Sequence, residues 1–169
     1  DGYQTPLGRV QIDRASVEQL SSLAVISQSD ICFEREHALE VHLPFIQRVF
    51  DPTVPVTPII VGASSAQQLL TIFEKLDDSK TLFIVSGDLS HFLPYEEAKE
   101  LDLKTSGQLE QLQFDQLTHD QSCGYYPLQG LLLWAQQSNL KLRTVDLRNS
   151  GDTAGDRDRV VGYGAFTVS

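Results

Sequence analysis

The chain has 169 residues, 41% hydrophobic and 21% charged, a balance that suits one globular domain over 1–169 with a single core. Its net charge of −10 argues against non-specific binding to nucleic acid or to an anionic membrane, and no apolar run approaches the roughly 18 residues needed to span a bilayer. Two cysteines, Cys32 and Cys123, are too few for a disulfide framework, so the expected compartment is the reducing cytoplasm.

The chain opens "DGYQTPLGRV" and contains no methionine, the expectation for a fragment or a processed product. Asp13 reads as the N-cap of a helix over 15–26, with Val17, Leu20 and Leu23 at helical spacing. A second helix is expected over 34–50, kinked or delayed by Pro44, whose ring meets the carbonyl of Glu40. The apolar run 56–61 ends at Gly62 and reads as a buried strand. "SSAQ" at 64–67 is a capping box that starts a helix reaching about 76. "TLFIVSGD" at 81–88 is the clearest buried strand of all.

Acidic helical sequence follows over 95–112, then a shorter helix over 114–119. "PLQGLLLWAQQ" carries proline in the first turn of a largely apolar helix over 127–137. "LRTVDLRN" and "VVGYGAFTVS" are strands, joined by the polar loop "SGDTAGDRD". Helices alternating with strands that look buried on both faces point to an α/β fold, a layered sheet with flanking helices.

Chemistry is expected beyond the carboxyl ends of such strands, where Ser86, Gly87, Asp88 and His91 stand. Asp88 is placed to orient the imidazole of His91 and leave its other nitrogen for substrate, proton transfer or metal. Spacing alone allows equally that Asp88 caps the next helix and His91 sits in a surface turn. His37 and Glu40 share a helix face, beside Glu36, whereas His42 points elsewhere. His37 taken alone reads as a hydrogen-bonded histidine at a packing interface. Cys123 precedes a glycine and a helix, whose dipole favours a thiolate ligand or nucleophile. A small buried hydrophobe is the simpler reading of a lone cysteine, and Cys32 takes that reading. Ser86, Asp88 and His91 crowd within six residues without a G-x-S-x-G elbow, which disfavours a serine hydrolase.

The motifs "TPLG", "EHALEVHLPF", "PIIVG", "VSGDLSHF", "CGYYPLQGLL" and "NSGDTAGDRDRVVGYGAF", in this order, resemble the Memo-like family, called AmmeMemoRadiSam system protein B in prokaryotes. The resemblance covers nearly the whole chain. It implies a fold similar to the class III extradiol dioxygenases, which use non-haem iron, with the N-terminal part of that fold missing. It implies Cys123 as a metal ligand, Asp88 and His91 as pocket residues, His91 in the acid–base position, and His37 as a further pocket residue. The family's other two ligands are histidines in "PHAGY"-like and "HH" motifs, neither of which occurs here. The implied cofactor is iron or copper in a redox-capable pocket, that of a non-haem metal-dependent, dioxygenase-like oxidoreductase. The alternative is a non-catalytic module whose old active-site cleft holds a peptide or protein. A small-molecule or peptide ligand is the expected partner, with a pathway link to radical-SAM and AMMECR-type proteins.

Overall fold

The computed structural model describes residues 2–34, 36–51, 53–78, 80–153 and 155–169. Arg35 of the expected second helix and Ala154 of the expected loop lie outside them. The fold is mixed α/β, with two small antiparallel sheets and accompanying helices. The backbone separates into two compact units, Asp1–Gly62 and Ala63–Ser169. No helix among the described residues is long and apolar enough to cross a membrane.

The first unit begins with a hairpin, β1 (Gly2–Thr5) against β2 (Gly8–Gln11). Helix α1 (Arg14–Ser21) follows, capped by Asp13, whose carboxylate accepts from the amides of Ala15 and Ser16. It stops five residues short of the expected end. Past Ser21 lie Ser22 and turn residues, and only Leu20 of its apolar positions is buried. Helix α2 (Ala38–Val49) starts four residues later than expected and tolerates Pro44 inside it. Its cap comes from Glu36, whose Oε1 accepts from the amides of His37 and Ala38 at 2.8 and 2.7 Å. Leu43 is its buried anchor. The expected strand at 56–61 reduces to one parallel bridge, Val56 with Ile12. A strand exists only where a neighbour supplies its ladder, and apolar sequence does not create that neighbour.

In the second unit, α3 (Ala66–Leu76) starts at the Ser65–Gln68 capping box and packs on α5 (Tyr125–Gln137). Phe73, Phe83 and Trp134 close that side, with ring centroids 5.0–5.6 Å apart. A three-stranded antiparallel sheet of order β3–β5–β4 forms the other layer: β3 is His91–Leu93, β4 Leu142–Asn149 and β5 Val160–Val168. Helix α4 (Tyr95–Glu110) lies on it. Leu109, Leu117, Leu132 and Leu142 make the core between helices and sheet.

Two expectations in this unit need correction. Residues 81–88 belong to no strand among the described residues. Phe83 joins the aromatic cluster while its neighbours Leu82 and Ile84 are 63% and 47% exposed, so the run is not buried on both faces. The expected helix at 114–119 is a run of turns ending in a 3-10 turn, His119–Gln121. There the buried Gln121 accepts from the amide of Thr118 and donates to Thr105 and Gln108, a tertiary anchor that outweighs helical continuation.

Candidate functional site

Two short segments of the second unit meet edge to edge. Gly87 lies so close to Gly124 that a Cβ at 87 would come 2.7 Å from the Cα and nitrogen of Gly124. A glycine at 87 permits this approach, whereas a Cβ at 124 would stand at ordinary contact distance, 3.4 Å from the Gly87 Cα. The approach brings "SGD" against "SCG", and the two then exchange hydrogen bonds. The amide of Asp88 donates to Cys123 Sγ (3.1 Å), and the amide of Cys123 donates to the Asp88 carbonyl (3.2 Å). Ser122 Oγ donates to the same carbonyl at 2.7 Å and accepts from the amide of Gly124. The sulfur is thus held at the entry of α5 while remaining solvent-exposed. Exposure rules out the buried-hydrophobe reading for Cys123, and equally for Cys32, which is exposed in a 3-10 turn.

His91 opens β3, where the pairing with β5 shifts register between His91 and Leu93. Phe92 between them has φ of 58°, in the left-handed region that side chains rarely adopt. Such bulges re-aim neighbouring side chains. Here His91 Nε2 lies 3.8 Å from Asp88 Oδ2, with the two side chains 34% and 49% exposed. That separation is too long for a direct hydrogen bond and suits an ion pair, a bridging water or a shared ion. Helix α4 begins at Tyr95 with Pro94 as its cap, so Asp88 does not cap it, and His91 is a strand residue rather than a turn.

Donor atoms of Asp88, His91 and Cys123 all lie within 4.8 Å of one another. Donors on one tetrahedral ion stand about 3.4–3.8 Å apart, given bonds of about 2.1–2.3 Å, so small rotations of exposed side chains would close the group. Thiolate, imidazole and carboxylate together suit zinc, iron or copper. The arrangement sets a sulfur, an imidazole and a carboxylate side by side, their backbone tied by the hydrogen bonds between Asp88 and Cys123.

Residues 1–167 match the family described as Memo-like protein. The chain belongs to the Memo-like family. A MEMO1 family protein of Saccharolobus islandicus is 30% identical over 175 residues, covering 95% of this chain and 62% of its own length. One from Sulfurisphaera tokodaii is 29% identical with the same coverage, and one from Methanosarcina barkeri is 29% identical over 181 residues, 99% of this chain and 68% of its own. The Memo-like chain therefore spans about two thirds of the length of these relatives.

In the Memo-like chain, His37 belongs to the first unit, where it is exposed and stands just before α2. Its backbone (φ −117°, ψ 0°) is not helical, so the face shared with Glu40 does not exist in the form expected. Sequence reasoning missed the supports of the second unit's group: Ser122 donating to the Asp88 carbonyl, the neighbouring Gln121 anchored to Thr105 and Gln108, and Asp102 accepting from Ser90. The paired "SG" and "CG" steps hinted at close backbone approach. Nothing local announced the buried polar partners.

Proposed function

We propose that Asp88, His91 and Cys123 form part of a redox-capable non-haem metal pocket for iron or copper, resembling that of the extradiol dioxygenases. The convergence of their three donor atoms within 4.8 Å carries this reading. Membership of the Memo-like family supports it. When bound, such a metal supplies Lewis-acid and one-electron chemistry. Cys123 is the anchoring ligand, and the Asp88 amide directed at its sulfur stabilises the thiolate. His91 is the group that takes or gives a proton at an imidazole nitrogen, and Asp88, 3.8 Å away, orients that ring through a bridging water or ion.

The test uses the full-length protein and its Cys123→Ser variant. Metal content after reconstitution and titration with copper(I) and iron(II) under reducing conditions should show stoichiometric binding that falls 10-fold or more in the variant. Substrate-dependent oxygen uptake would extend the reading to turnover. Equal affinity in both proteins would place the metal elsewhere and end it. A metal-free protein that retains a peptide would favour a binding module instead.

A further inference from the structure

The segment carrying Asp88 and His91 is held from behind by a carboxylate that the chemistry above does not use. Asp102, on α4, is 2% exposed. It accepts from the amide of Ser90 at 3.0 Å through Oδ1 and from Ser90 Oγ at 3.1 Å through Oδ2. Ser90 itself is fully buried. On the other side β5 grips the same stretch: the amide of Leu89 donates to the Gly162 carbonyl at 2.9 Å, and the amide of Gly162 donates to the Ser90 carbonyl at 2.8 Å. A Cβ at position 162 would come 2.0 Å from Asp102 Oδ2, so the carboxylate occupies space that only glycine leaves open.

A carboxylate is an expensive way to fill a core. Burial raises its pKa above the ordinary carboxylate value, and the hydrogen bonds from Ser90 and the nearby His91 offset that only in part. An apolar side chain would pack there without this cost. What the carboxylate adds is two acceptor atoms aimed at one residue, directly between Asp88 and His91.

We propose that Asp102 is a positioning residue of the candidate site: by accepting both hydrogen bonds of Ser90 it fixes residues 88–91 so that His91 and Asp88 meet Cys123. This rests on reading Asp88, His91 and Cys123 as a metal pocket. Gly162 is its structural counterpart, the place where β5 makes room for the carboxylate. Asp102 touches neither metal nor substrate and acts through the backbone of Ser90.

The experiment compares the full-length protein with Asp102→Asn, Ser90→Ala and, as a control, Asp146→Asn at an exposed ion pair of β4. Asp102→Asn keeps the shape and the acceptor for the Ser90 amide but can meet Ser90 Oγ only by donating to it, which reverses the second bond. Three readouts are taken: cobalt(II) affinity through its thiolate absorption band, amide hydrogen exchange, and the ring nitrogen signals of His91 in the metal-free protein. Asp102→Asn should weaken cobalt(II) binding 10–100-fold, speed exchange at Leu89, Ser90 and Gly162, and move the His91 ring signals. Ser90→Ala should do the same to a smaller extent, and the control should do none of it. Wild-type affinity with unchanged exchange at these amides in both variants would overturn the proposal. If the wild type binds no cobalt(II), the pocket reading fails, and exchange and ring signals of the metal-free proteins still decide. A change confined to residues 88–91 and 162 then supports the clamp, whereas a uniform rise across the second unit overturns it. If Asp102→Asn does not fold, Ser90→Ala decides by the same criteria.

Discussion

The two units differ in how far their key polar groups reach. In Asp1–Gly62 several carboxylates serve their own sequence neighbours: Asp13 caps α1, Glu36 caps α2, and Asp51 holds Thr53. In Ala63–Ser169 several decisive bonds join residues far apart in sequence: Asp88 with Cys123 across 35 positions, Ser122 with Asp88 across 34, and Asp102 with Ser90 across 12. Local bonds shape single elements. Long-range bonds bring chemically capable side chains together, and the convergent donor group lies in the unit that is rich in them.

The contrast can be broken most forcefully at Gly162. A Cβ there would overlap the Asp102 carboxylate, so Gly162→Ala should cost about 3 kcal/mol. Denaturant unfolding followed by Trp134 fluorescence measures it. Adding Asp102→Ala should recover part of the loss, since the obstructing oxygen is then gone. Full additivity would show that the carboxylate is not what meets the new methyl group.

Next in size is Gly87→Ala. Its Cβ would press on the Gly124 backbone and separate the two segments, at a cost of about 2 kcal/mol. The sharper sign is chemical: near neutral pH Cys123 should react more slowly with a thiol reagent, because its thiolate loses the Asp88 amide that stabilises it. Unchanged thiol kinetics would mean the glycine contact does not hold the site together.

In the first unit, Glu36→Ala removes an acceptor from two amides and should cost about 1 kcal/mol. Hydrogen exchange should accelerate at His37 and Ala38 and leave residues 88–91 unchanged.

The smallest effect is a difference in pH dependence. Asp13 has its pKa lowered from 3.8, first by the hydrogen bond from Ser16. The unfolded chain then binds more protons in that window, so its contribution is complete above the unfolded value and is lost as pH falls through the folded one. Asp102 has its pKa raised, first by burial. The folded chain then binds more protons, so its contribution is complete below the unfolded value and is lost as pH rises through the folded one. Stability curves from pH 3 to 7 should therefore show Asp13→Ala most damaging near neutrality. Asp102→Asn should be most damaging at the acid end. Parallel curves would contradict the assigned burial of Asp102.

Much of this was legible in residue order. The Asp13 cap, a serine–glutamine capping box before α3 (found at Ser65–Gln68, one residue past the expected 64–67), α5 with Pro127 in its first turn, and the strands β4 and β5 follow from capping and periodicity. His91 and Cys123 stood out because the chain has four histidines and two cysteines, and Asp88 because it stands three residues before His91. Those signals are local: a cap needs a donor two or three residues away, and a period needs only its own repeat. The tertiary structure alone decided that residues 81–88 pair with no strand among the described residues, that Gly87 abuts Gly124, and that Asp102 holds Ser90. Ladder partners, backbone approach and buried acceptors are set by chain segments dozens of residues away. An apolar run or a lone aspartate carries no record of which neighbour it will meet.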